Sequence, residues 1–197
     1  MKSTIFAAIA VCCILFSVQA QEQTQKQMAD DPMMKAWEAY ATPGEVHKNL
    51  AALAGTWDAD VTSYYMDPKT PSKSKGVSTF SVIMDGRYVH ETVEGTFDGM
   101  PFHGMGIYGY DNALKHYVST WVDNMGTGVM IGEGTSPDNG KTINWTSTAV
   151  DPMSGKEQSY RSAMHKMSDD QYHFEMWGPG MDGKEMKMME ITYNRRK

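Results

Sequence analysis

Residues 104–127, GMGIYGYDNALKHYVSTWVDNMGT, read as two long strands joined by a tight turn at Asp111 and Asn112. A second turn follows at Asn124, Met125 and Gly126. Side chains alternate between the faces of a strand, so Tyr108, Tyr110, Tyr117, Trp121 and the carboxylate of Asp123 share one face. Gly104, Gly106 and Gly109 match a G-x-G-x-x-G spacing, but they lie within a strand and open no helix, which excludes a dinucleotide-binding reading.

The same pattern extends outward in both directions. Turn signals recur at Asp67-Pro68, Asp85-Gly86, Asp98-Gly99, Asp111-Asn112, Met125-Gly126, Asn139-Gly140, Ser154-Gly155, Asp169-Asp170 and Asp182-Gly183, and from Asp85 onward they fall every 13 to 15 residues. Asp-Gly and Asn-Gly suit two-residue hairpin turns, whose central positions need positive φ. Nine successive turns without an intervening helix predict about ten antiparallel strands in an up-and-down meander. Such a sheet exposes two edges unless it closes, so the expected fold is mainly β, a single antiparallel barrel.

Ahead of the strands, Asp31-Pro32 fits a helix start, with Asp31 as cap. Thr42-Pro43-Gly44-Glu45 fits a second, with Thr42 as cap and Glu45 reaching back as its partner. One or two short helices are therefore expected, packed on one end of the barrel.

Residues that flank a two-residue turn pair and point the same way, which assigns the faces. Met84 then pairs with Arg87, and the more apolar face carries Phe80, Val82, Met84, Arg87, Val89, Glu91, Val93 and Phe97. The inward set continues through Met100, Phe102, Tyr108 and Tyr110. A three-residue loop at 124–126 turns Trp121, Asp123, Val129, Ile131 and Glu133 inward, and the turn at Asp169-Asp170 turns Arg161, Ala163 and His165 inward with Phe174 and Met176. The last strand leaves two sets open: Met186, Met188 and Glu190, or Met189, Ile191 and Tyr193.

The expected interior thus mixes aromatic wall with Arg87, Glu91, Asp123, Glu133, Arg161 and His165. An unpaired buried charge costs several kcal/mol or neutralises by shifting its pKa. Three readings stay open. These groups form a structural ion-pair network, as in a structural envelope protein with a filled core, or they anchor a small partly apolar ligand together with Tyr108 and Trp121. Alternatively they do acid–base chemistry on a small carboxylic acid, with Glu91 or Glu133 as base and Arg87 or Arg161 steadying the carboxylate.

The first 20 residues, MKSTIFAAIAVCCILFSVQA, have a basic start, an apolar run too short to span a bilayer comfortably, and small residues before Ala20. They read as a secretory signal peptide, giving a secreted or periplasmic protein with no membrane span. Residues 21–30 read as a tether and 31–197 as the barrel domain. Both cysteines, Cys12 and Cys13, leave with the signal, so the mature chain has no disulfide. The net charge of −6 argues against a nucleic-acid partner, which wants a basic footprint. No feature of the sequence reports the oligomeric state.

Several ordered pieces, GEVHKNLAALAGTW, MDGRYVHE, PFHGMGIYGYDN, YVSTWVDNMGTG and MEITYNRR, resemble an uncharacterised bacterial secreted family, domain of unknown function 1579. Gly55-Thr56-Trp57 near the start, with Arg195-Arg196 at the end, also resembles the lipocalin and calycin pattern. There a G-x-W tryptophan packs against a C-terminal arginine at the closed end. The resemblance implies a lipocalin-like barrel closed by Gly55, Trp57, Arg195 and Arg196, and no assigned activity.

No cofactor is predicted. The 18 methionines spread over nearly every strand as core filling rather than clustering as copper ligands. The six histidines show no short metal-ligand spacing, and a lone inward His165 gives no reason to expect haem.

Overall fold

The structure, a computed structural model, describes residues 30–180 and 182–197. The expected signal peptide and all but the last residue of the tether lie outside them. The chain divides into two units at Thr42. In the first, α1 (Pro32–Ala41) is capped as expected: Asp31 Oδ1 accepts the Met33 N–H at 2.7 Å and Pro32 opens the first turn. None of its ten residues is buried.

The second unit, Pro43–Lys197, begins with α2 (Glu45–Ala51). Its cap is Gly44 rather than Thr42, whose hydroxyl instead donates to Glu38 O in the last turn of α1. The reaching-back partner is His47, not Glu45: its Nδ1 accepts the Gly44 N–H at 3.0 Å. His47 is buried, and its Nε2 lies 3.1 Å from Tyr110 O, which ties α2 to the sheet. Leu50 and Leu53 follow it into the core. Of the two expected end-packing helices, α2 takes that place.

Ten strands follow: β1 (Gly55–Ser63), β2 (Ser72–Ile83), β3 (Tyr88–Phe97), β4 (Met100–Asp111), β5 (His116–Asp123), β6 (Met130–Thr135), β7 (Thr142–Val150), β8 (Glu157–Ser168), β9 (Gln171–Pro179) and β10 (Glu185–Arg195). Each pairs antiparallel with the next, and β1 pairs with β10, so the sheet is a closed barrel without edges. All nine predicted turns lie at strand junctions. At Asp85-Gly86 and Asp98-Gly99 the register is the expected one, with Ile83 opposite Tyr88 and Phe97 opposite Met100.

Two junctions depart from two-residue geometry with opposite consequences. After Asp111 the chain reverses over four residues: the Asp111 carboxylate accepts the Ala113 and Leu114 N–H groups, and Lys115 takes positive φ. Asp111 pairs with His116 and Tyr110 with Tyr117. The slip is even, so the inward face survives. At residues 124–126 the chain does not reverse. Asn124 stays tied to β4, its N–H donating to His103 O and its side-chain amide to Pro101 O. The strand resumes at Met130, opposite Trp121. That slip is odd. Met130, Gly132 and Gly134 share the face of Trp121, whereas Val129, Ile131 and Glu133, expected inside, are exposed.

A second inversion has a different cause. Ser168 pairs with Gln171 as the Asp169-Asp170 turn demands, but Met167 bulges, so that Lys166 faces Tyr172. A bulge leaves one residue unpaired and flips the alternation beyond it. Tyr160, Ser162 and Met164 consequently line the interior, and the expected Arg161 and His165 point away from it. A similar shift between Lys187 and Met189 resolves the last strand: Met189, Ile191 and Tyr193 face inward, and Met188 also reaches the interior.

The end carrying α2 is closed by Trp57, which is 0% exposed. Its indole N–H donates to Leu53 O at 2.8 Å, and the Arg195 guanidinium stacks 4.0 Å from its ring centroid. Arg195 also donates to Ala52 O and Ala54 O, binding the end of the last strand to the turn before the first. A side chain at Gly55 would place its Cβ 2.7 Å from that guanidinium, at a φ of +129°. Arg196 lies outside, paired with Asp58.

Candidate functional site

The barrel encloses a cavity of about 390 Å³. Its wall is mostly apolar, drawn from nearly every strand, with Phe80, Tyr108, Trp121, Trp145, Phe174 and Ile191 among the larger groups. Two tryptophans lie flat against the wall because glycines face them. A Cβ on Gly104 would come within 2.4 Å of the Trp121 ring, and one on Gly134 within 2.7 Å of the Trp145 ring. The glycine run of residues 104–109 therefore serves packing.

Glu91 is the buried charge of this wall. It is 2% exposed, opposite Phe80 on one side and Gly106 on the other. Tyr108 donates its hydroxyl to Glu91 Oε2 at 2.7 Å. Oε1 has no hydrogen-bond partner, and neither has Ser78 Oγ, which is 0% exposed on β2 and lines the same cavity. Burial pushes the Glu91 carboxyl up to about 7, against the opposing pull of the hydrogen bond from the Tyr108 hydroxyl. Burial likewise drives the Tyr108 and Tyr193 phenols well above 10, reinforced by the nearby Glu91 carboxylate.

Asp123 lines the cavity toward the end opposite α2. Its carboxylate is already engaged, accepting the Trp121 indole N–H at 2.8 Å and the Met125 N–H at 2.9 Å. Glu91, Tyr108, Trp121 and Asp123, all expected inside, are thus brought together on one wall.

The other four expected site residues are not. Arg87 sits in the turn before β3, donates to Met84 O and lies 3.7 Å from Asp85, so it meets neither Asp123 nor Glu133. Val82 and Met84, also expected inside, emerge with it at the barrel end, 43% and 66% exposed. Glu133 lies on the outer face, 4.0 Å from His116. Arg161 pairs with Glu185 and stacks 4.0 Å from the Trp177 ring centroid, outside the barrel. His165 bonds Thr142 through Nδ1, 3.3 Å away, and lies 3.9 Å from Glu175.

Sequence reasoning passed over Ser78 and Trp145. Ser78 precedes the recognised Phe80 by two and shares its face. Trp145 follows from the Asn139-Gly140 turn, which sets it opposite Gly134; the odd slip at 124–129 hid that pairing. Outside the barrel, among the described residues, one group has metal-ligand spacing: His173, Glu175 and Glu190, with ligand atoms within 4.8 Å of one another. Lys187 already bonds both carboxylates there.

The family model described as protein of unknown function (DUF1579) matches residues 42–195, and the chain belongs to that family. No curated protein matches the sequence. Among solved structures, Rv2717c from M. tuberculosis is similar at a TM-score of 0.60 and 13% identity, over 79% of this chain and 100% of that one. The S-type phycobiliprotein lyase CPES from Guillardia theta is similar at a TM-score of 0.55 and 10% identity, over 77% and 93% respectively. At these identities the likeness is one of fold.

Proposed function

We propose that this DUF1579 protein is an exported barrel that holds one small, largely apolar molecule in its interior. The observation that carries the reading is the cavity of about 390 Å³. Its volume falls within the range of small-molecule sites, and apolar walls with a few polar groups are typical of them. Acid–base chemistry on a carboxylic acid is the weaker reading, because Arg87, Glu133 and Arg161 stand outside the cavity and leave Glu91 without the cation that reading requires.

Blocking the cavity tests the proposal. Ser147 is buried and lines it from β7, and Met164 lines it from β8. The neutral probe N-phenyl-1-naphthylamine should bind the wild type at one per chain with enhanced, blue-shifted fluorescence. Ser147→Trp should weaken that binding by about tenfold or more, the equivalent of roughly 1.4 kcal/mol. Met164→Trp offers a second block if overpacking unfolds the first. Equal binding by folded blocked variants would place the probe on the surface and remove the proposal.

A further inference from the structure

We infer that the molecule held in the barrel carries an amino group, which sits against Glu91 Oε1 and Ser78 Oγ. This rests on the reading of the barrel as a ligand carrier and adds the chemical class of the ligand.

Two buried polar atoms of the cavity wall lack partners. Native proteins satisfy nearly all their buried polar groups, and the exceptions mark a bound water, an ion or a function. Here Glu91 Oε1 and Ser78 Oγ are both buried, both unpartnered, and both belong to residues of the cavity wall. Tyr108 occupies Oε2 as a donor, so once the carboxyl is ionised its other oxygen, Oε1, is left to accept. An ammonium carries three donors and no acceptor. It can therefore serve Oε1 and Ser78 Oγ together, and its bonds to a carboxylate are charge-assisted.

The sign of the interior points the same way. Among the described wall residues the carboxyl and amine side chains are those of Glu91, Asp123 and Lys75. The Lys75 ammonium is 88% exposed and paired with Asp60 at 3.2 Å, so it is turned to the outside. Both arginines that the sequence suggested for holding a carboxylate are also outside. An anionic ligand would meet two acids and no base, whereas a cationic one would meet its counter-charge at Glu91. Aromatic faces beside the carboxylate suit the same ligand: the Tyr108 and Trp145 ring centroids lie 6.0 Å apart.

Proton linkage supplies an independent readout. An ammonium binds ionised Glu91, which the empty barrel keeps protonated up to about pH 7. Affinity for an amine should therefore rise as pH increases from 6 to 8, with a proton released on binding at the lower pH. The groups facing Glu91 are Ser78 on β2, Tyr108 on β4 and Tyr193 on β10; both phenols are pushed well above 10 and stay neutral throughout. Asp123 lies farther along the wall and is held by Trp121 and Met125, and His47 on α2 is engaged with Gly44 N–H and Tyr110 O. Asp85 and Arg87 lie in the turn outside the cavity.

The test uses three probes of one chain length, decylamine, decanol and decanoate, titrated calorimetrically into the full mature chain at pH 6 and 8. Decylamine should bind more tightly than decanoate by about tenfold or more at pH 8, with decanol between them. Glu91→Gln should level the three, and Ser78→Ala should lower amine affinity part of the way. Binding of decanol or decanoate as tight as that of the amine would overturn the inference and leave the carrier reading standing. So would an amine preference that survives Glu91→Gln. Failure of all three, together with failure of N-phenyl-1-naphthylamine, would overturn both.

Discussion

Trp57→Ala is expected to lower the unfolding free energy by about 3–5 kcal/mol, a large part of the roughly 5–15 kcal/mol that holds a domain together. The indole is wholly buried, meets Tyr172 edge-on at 5.2 Å, and sits beneath the Arg195 guanidinium. Its loss leaves a cavity with a charged group above it and strands Leu53 O, which the indole N–H satisfies. Because this residue joins α2, β1 and the end of β10, the damage falls where the barrel closes. Urea denaturation of wild type and variant gives the difference directly. A midpoint unchanged within error would mean that Trp57 does not close the barrel.

Glu91→Gln carries the second large expectation, and its sign is opposite. The folded-state pKa of Glu91, about 7, lies above its ordinary value of 4.5. Between those values the folded protein holds a proton that the unfolded chain has released, so stability falls as pH rises from about 4.5 to about 7. Above pH 7 the full penalty is present, about 3 kcal/mol at 1.36 kcal/mol per pKa unit. Glutamine has no such charge to desolvate. The ligand-free variant should therefore be more stable than wild type by about 3 kcal/mol at pH 8 and close to it at pH 4. Other carboxylates, such as Asp58 and Glu190, are held below their ordinary range by Arg196 and Lys187. They make both proteins acid-sensitive and cancel in the difference. A stability difference independent of pH would show that Glu91 is not a buried, desolvated carboxyl.

The turns were legible because they are written in residue types that positive φ requires. Gly86, Gly99, Gly140, Gly155 and Gly183 all take it, at five of the nine predicted junctions. Strand number, antiparallel order and closure follow from them. Faces are harder, because each depends on whether a slip is odd or even. Glu91 and Tyr108 were placed correctly because the Asp85-Gly86 and Asp98-Gly99 turns keep their expected register. Glu133 was misplaced by an Asn124 that pairs with β4 instead of turning, and Arg161 and His165 by a bulge at Met167. A bulge has no turn residue to announce it: Lys166, Met167 and Ser168 read as plain strand. Arg87 failed for another reason, since the strand ends before it and its side chain folds onto the turn. The residues misassigned to the interior include both expected arginines of the site, and with them goes the cation that the alternative of acid–base chemistry on a carboxylic acid needed.

The occupant of the barrel is accessible to one measurement. Protein recovered from its own cells without denaturant, weighed intact by native mass spectrometry and then extracted with organic solvent, should show one adduct per chain that is released on extraction. The Ser147→Trp variant, recovered the same way, should lack it. The account predicts a single small apolar molecule bearing an amino group. Repeated recovery of wild-type protein at the mass of the bare chain, with nothing in the extract, would contradict it.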